Sequence, residues 1–234
     1  MTHTISLREV VKSYSLGAGR AVAVDQVSLE IAEGEFVAIV GRSGSGKTTL
    51  LNILAGIDRP TSGTVEVAGA DLGALSESEM AAWRGRNVGL VFQFFQLLPT
   101  LTVVENVLLP MDFAKKIPSA ARRNRALQLL ERVDIADQAN KLTTMLSGGQ
   151  QLRAAIARAL ANDPPLLLAD EPTGNLDSIT AAAVLDVFAD LNAEGRTIVV
   201  VTHECDIRSI VSREITLRDG RVVTVDDQRI EATA

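Results

Sequence analysis

Residues 35 to 49 read EFVAIVGRSGSGKTT. The run EFVAIV is apolar after its first residue, so as a strand it needs cover on both faces, as an internal strand of a parallel sheet has. A glycine-rich turn follows, and KTTLLNILAG then carries a helical pattern. Strand, loop and helix in that order are the setting that G-x-x-x-x-G-K-[ST] demands, and Gly41, Gly46, Lys47 and Thr48 fit it. In such a loop the backbone N–H groups turn inward around phosphate oxygens, and the helix start adds its positive dipole end. The expected nucleotide-binding set is Gly41, Ser43, Gly44, Ser45, Gly46, Lys47, Thr48 and Thr49. Lys47 is expected to reach the β- and γ-phosphates, and the Thr48 hydroxyl to bind Mg²⁺.

Two later apolar runs end in groups that suit such a loop. PLLLADEP places Asp170 and Glu171 at the carboxyl end of a buried strand, where metals and ligands collect in open parallel sheets. Asp170 is expected to hold magnesium through its water shell, and Glu171 to orient or deprotonate the water that attacks the γ-phosphate. His203 closes the run TIVVVTH, where it can hydrogen-bond the same phosphate.

Around these runs, ISLREV, AVDQVSLEIAEGE and, after a PTSG turn, TVEVAG alternate apolar with polar residues, which predicts antiparallel strands. From about 77 to 161 the pattern is mostly helical, and in SAARRNRALQLLERVDI the residues Ala126, Leu129, Leu130 and Val133 share one face. PLLLAD, a helix over 178 to 192 and RTIVVVTH then imply parallel strands with crossovers. REITLRDGRVVTV predicts a hairpin at Asp219-Gly220, followed by a polar end. The expectation is an α/β fold in a single domain, 1–234, with a core and antiparallel lobe from about 1–76 and 162–234 and a helical lobe from about 77–161.

Composition narrows the function classes. The single cysteine, Cys205, excludes an internal disulfide and reads as a small buried hydrophobe. A formal charge of -6 supplies no global basic field, so no nucleic-acid partner is expected. Although 47% of residues are hydrophobic, PPLLLA and TIVVVT stop far short of the about 18 residues a spanning helix needs. The N-terminus lacks an apolar core of signal-peptide length, so the chain is expected on the cytoplasmic side.

MLSGGQQLRAAIARAL, residues 145 to 160, opens a second anion-seeking helix start far from the phosphate loop. Ser147, Gly148 and Gly149 present backbone N–H groups there, and Gln150 completes a capping-box pattern. These residues alone leave open whether the stretch is only a cap or also an anion site.

With the phosphate loop, LSGGQ, LLLADEPTGNLD and VVVTHE in this order, nearly the whole sequence resembles the nucleotide-binding subunit of ATP-binding cassette (ABC) transporters. The resemblance implies a P-loop ATPase core with a parallel sheet, an antiparallel β subdomain and an inserted α-helical subdomain, using ATP and Mg²⁺. It matches Gln93 to the Gln loop, which contacts Mg²⁺ and the attacking water, and it makes FFQLLPTLT the contact with an integral membrane permease. Tyr14 matches the aromatic that stacks on adenine, and Asp177 matches the loop that reaches to the partner subunit. A head-to-tail dimer with a second copy, or with a related ATPase subunit, is implied. In it each ATP lies between one Lys47 loop and the other chain's Ser147 helix start, at the cytoplasmic face of the membrane.

VFQFFQLLPTLTVVENVLLPM and DEPTGNLD look most similar to the subgroup serving macrolide exporters, lipoprotein-releasing complexes and antimicrobial-peptide transporters. A related cell-division ATPase usually carries Glu where Gln150 stands. Two departures stand out: Leu152 where the family usually has Gln, and Thr143 where it often has Pro. Leu152 removes a polar side chain near the site and motivates the alternative of a non-hydrolysing module that switches a partner by dimerising on ATP. A soluble ATPase of repair or translation is the other alternative, and it usually has two cassettes or a long coiled-coil insertion.

Overall fold

The computed structural model describes residues 3–17, 19–174, 176–203 and 206–227; Cys205 and the polar end beyond 227 lie outside them. The alternating N-terminal segments pair as strands β1 (His3–Leu16) and β2 (Gly19–Ala32), joined later by β4 (Ser62–Val67) and β5 (Ala70–Asp71), in an antiparallel sheet ordered β2-β1-β4-β5. Between them run the apolar strand β3 (Phe36–Val40) and helix α1 (Lys47–Leu54). Next come α2 (Glu77–Asn87), β6 (Val88–Val91), α3 (Val103–Ala114), α4 (Ser119–Arg132) and α5 (Gly148–Ala159). The chain continues with β7 (Leu166–Asp170), α6 (Ser178–Ala193), β8 (Thr197–Thr202) and the hairpin β9 (Arg213–Arg218) and β10 (Arg221–Asp227). The second sheet is ordered β10-β9-β3-β8-β7-β6, and every neighbouring pair in it is parallel except β9 with β10.

The side-chain period of two explains how a sheet of unbroken apolar runs builds two cores. Phe36, Ala38, Leu167, Ala169, Ile198 and Val200 point to a cluster filled by α3 to α6. Val37, Ile39, Leu166, Leu168, Val199 and Val201 point the other way, onto α1 and the antiparallel sheet. Ala126, Leu129, Leu130 and Val133 are all buried, as their shared face requires. The hairpin turns at Asp219 and Gly220, both with positive φ, as a two-residue turn between right-twisted strands needs. Among the described residues no helix is long and apolar enough to cross a membrane.

One strand departs from the helical reading of 77–161. β6 joins the main sheet by pairing with β7, Gly89 opposite Leu167. Four apolar residues are too few to show a period, and the strand forms because α5 crosses it closely: a Cβ on Gly89 would lie 2.6 Å from the Ala159 carbonyl oxygen. Gly85, inside α2, has open space around it. Gly89→Ala is therefore expected to destabilise the protein by about 1–3 kcal/mol through overpacking, whereas Gly85→Ala gains about 0.5–1 kcal/mol of helix stability. Urea midpoints of the two variants against wild type check both signs.

Candidate functional site

Four parallel strands stand side by side in the order β3, β8, β7, β6, so their carboxyl ends open onto one edge. After β3 comes the phosphate loop; β7 ends in Asp170 and Glu171, β8 leads to His203 and β6 to Gln93.

The loop is built tightly. Gly46 has φ +98, and a Cβ on it would sit 2.0 Å from the Ala23 carbonyl oxygen, so no other residue fits there. The Ser45 carbonyl accepts from Gly220 N–H, whose own carbonyl accepts from Asp25 N–H, fastening the loop to β2 and the β9–β10 turn. Lys47, 6% exposed, donates through Nζ to the carbonyl oxygens of Gly41 (2.8 Å) and Arg42 (3.2 Å). The Ser45 hydroxyl is buried without a hydrogen-bond partner. A fixed ammonium, an orphan hydroxyl and a helix start in one loop fit a phosphate group.

Three side chains from three strand ends meet on Glu171. Gln93 Nε2 donates to Oε2 at 3.1 Å, His203 Nδ1 lies 3.2 Å from Oε1, and Lys47 Nζ stands 3.9 Å from the same oxygen. Glu171 itself holds φ +42, a left-handed conformation that costs a residue with a Cβ on the order of 1–3 kcal/mol. Beside it, Asp170 Oδ1 accepts from the Thr48 hydroxyl at 3.2 Å. Burial first, then the neighbouring Glu171 charge, raises the Asp170 carboxyl above its ordinary value, against the Thr48 hydrogen bond and the Lys47 charge. Among the described residues no three His, Cys, Asp or Glu side chains gather as a metal cage. Thr48 and Asp170 suit a cation that keeps most of its water and takes phosphate oxygens, which is the habit of Mg²⁺.

The remaining predicted residues lie on other surfaces. Tyr14 on β1 is 40% exposed, and its hydroxyl donates to Asp58 at 2.7 Å. Ser147 caps α5: its hydroxyl accepts from Gln150 N–H, and Gln150 Oε1 accepts from Ser147 N–H at 3.0 Å. Asp177 caps α6 through Thr180, whose N–H and hydroxyl together hold its carboxyl below the usual range. The two caps are neighbours, since a Cβ on Gly149 would meet Thr180 Cγ2 at 2.4 Å.

Leu152 is fully buried in the helical cluster, so this departure removes nothing from the exposed helix start. Thr143 is buried too, and its hydroxyl donates to the Leu98 carbonyl. In FFQLLPTLT, Phe94 is 70% exposed while Phe95 packs into the helical cluster, so one of the two rings is outside and the other inside. Sequence reasoning missed Arg158, which donates to the carbonyls of Phe95 and Gln96, two residues with positive φ. It also missed a groove of about 660 Å³ lined by Arg84, Arg86, Phe92, Phe113 and Arg158.

The comparisons agree with this geometry. The family model described as ABC transporter matches residues 24–174. The chain is 48% identical over 219 residues to the ABC transporter ATP-binding protein YknY of Bacillus subtilis, covering 94% of this chain and 95% of that one. It is 44% identical over 220 residues to the macrolide export ATP-binding/permease protein MacB of Rhodopseudomonas palustris, covering 94% of this chain but 34% of that longer protein. The dimeric post-hydrolysis structure of the ATP-binding cassette MJ0796 bound to ADP and Pi superposes with a TM-score of 0.90 at 43% identity, over 95% of this chain and 98% of that one; MJ0796 is from Methanocaldococcus jannaschii. The chain belongs to the ABC transporter family, as one of its ATP-binding cassettes.

Proposed function

We propose that the chain binds and hydrolyses ATP and uses the cycle to drive a membrane permease from the cytoplasmic face. The observation that carries this reading is the meeting of Lys47, Gln93 and His203 on Glu171, next to the Thr48–Asp170 pair. Lys47 and the loop around it hold the phosphates. Thr48, Asp170 and Gln93 would hold Mg²⁺, which when bound would supply positive charge to the phosphate oxygens. Glu171 takes a proton from the water whose oxygen bonds to the γ-phosphorus as the bond to the bridging oxygen breaks, giving ADP and Pi. Gln93 and His203 keep the two carboxylate oxygens of Glu171 aimed, and Tyr14 stacks on the base.

Ser147, Gly148, Gly149 and Gln150 close on ATP held by a second copy or a related cassette, with Asp177 reaching across the interface. The amides of Gly148 and Gly149 find no acceptor among the described residues, which supports that role. In this reading the whole chain is one cassette, with 77–161 as its helical lobe. The groove lined by Phe92 and the exposed Phe113 supports docking of a permease segment. The buried position of Leu152 removes the motive for a non-hydrolysing module.

Glu171→Gln tests the chemistry: turnover is expected to fall about 10²–10⁴-fold, with ADP affinity little changed and an ATP-dependent dimer on a sizing column. Turnover equal to wild type would sink the assignment of Glu171. Asp170 gives a second test. Its carboxyl is raised in the folded chain, so the folded state binds more protons than the unfolded one between the two values, and this group's contribution to stability falls as pH rises through that window. At neutral pH its burial is therefore a cost. Asp170→Asn is expected to raise the ligand-free melting temperature by a few degrees, about 2–4 °C per kcal/mol. Calorimetry should show that gain shrink on acidification, while Mg²⁺-dependent turnover is lost.

A further inference from the structure

Strand β1 carries Lys12 and Tyr14 two residues apart, hence on one face of the sheet. The Lys12 ammonium stands 4.9 Å from the centre of the Tyr14 ring, over its face. The same ammonium bonds Asp58 Oδ1 and, at 2.8 Å, the Arg59 carbonyl. Asp58 closes the arrangement, since its second oxygen accepts from the Tyr14 hydroxyl at 2.7 Å. Asp58 is fixed in turn: its Oδ1 accepts from Arg59 N–H at 2.8 Å, and its own N–H donates to Asn52, in α1. Ala21, opposite Tyr14 in the β1–β2 ladder, is two residues from Ala23, whose carbonyl packs on Gly46.

The ring is thus tied at its hydroxyl to the helix that grows out of the phosphate loop, and it carries a cation on one face. A tyrosine this exposed ordinarily samples rotamers freely. Here two strong constraints remove that freedom before a base arrives, which lowers the ordering cost of stacking. The Lys12 charge, itself neutralised by Asp58, adds attraction to the ring's electron-rich face.

We propose that Lys12 and Asp58 are positioning residues for nucleotide binding: they lock Tyr14 so that it offers one fixed ring face to the base. The inference rests on the reading of Tyr14 as the base-stacking residue. Stacking without edge hydrogen bonds reads any purine, so ATP and GTP are served alike.

The test is calorimetric titration with ADP and Mg²⁺, paired with steady-state ATP and GTP hydrolysis. Lys12→Met and Asp58→Ala are expected to weaken ADP binding about five- to tenfold. KM rises by the same factor for both nucleotides, kcat at saturation is unchanged, and Lys12→Arg restores affinity. Tyr14→Phe, which keeps the ring and frees its end, should lose part of this affinity, and Tyr14→Ala more than any other variant.

Tyr14 is the only tyrosine in the chain, so phenolate absorbance reports it alone. Burial and the hydrogen bond to Asp58 raise its phenol above the ordinary value, and Asp58→Ala should bring it down. If Tyr14→Ala leaves ADP affinity intact, Tyr14 does not hold the base and the reading beneath the inference fails. If Tyr14→Ala weakens binding while Lys12→Met and Asp58→Ala do not, stacking stands and the positioning role is overturned. Tighter binding by Lys12→Met overturns it as well, because the ammonium would then occupy the base's own side of the ring.

Discussion

Everything at the site depends on the parallel ladder of β3, β8, β7 and β6. Its register sets Val40 beside Thr202 and Asp170 beside Val201, so groups separated by more than a hundred residues of sequence end on one edge. The hydrogen bond from Glu171 N–H to the Val201 carbonyl carries the ladder one step past the last residue of β7. That bond fixes the backbone of Glu171 in its strained conformation, and its cost is met by the two apolar cores that clamp the sheet.

Charge explains why so much structure is spent there. Two adjacent carboxylates beside a buried ammonium are a poorly balanced set in low dielectric. The Asp170 carboxyl is raised, by burial first and by the neighbouring Glu171 charge after it. Hydrogen bonds from Thr48 and Gln93 tie the carboxylates down while leaving their charge in place. A site that binds a polyphosphate with a divalent cation gains from such imbalance, because the cation relieves it on arrival.

What was legible in the sequence follows from how local each requirement is. The phosphate loop could be read because glycine, lysine and threonine are each demanded by backbone shape or charge at a set spacing. The three buried strands could be read from their unbroken apolar runs, and the bringing together of Asp170, Glu171 and His203 from the positions where those runs end. β6 was illegible because its cause is the close crossing of α5 at Gly89. The Phe94–Phe95 pair was illegible because an irregular loop with two positive φ angles obeys no period. Arg158 and Asp58 could not be found by pattern, since each earns its place through bonds to residues more than forty positions away.

The helix start at Ser147 shows how a local device can serve a distant purpose. Its capping box consumes the amide hydrogens of Ser147 and Gln150, which stabilises α5 by itself, and a cap of this kind is worth about 1 kcal/mol. It leaves the amides of Gly148 and Gly149, with the positive end of the helix dipole, facing outward. Had the box been built to satisfy the helix alone, any small residue would serve at 149. Instead a Cβ there would strike Thr180, so the glycine lets α5 and the Asp177 cap of α6 approach until they form one continuous surface. The capping box of α5 and the Asp177 cap of α6 are therefore held side by side by packing at Gly149, a closeness that neither cap needs for its own helix.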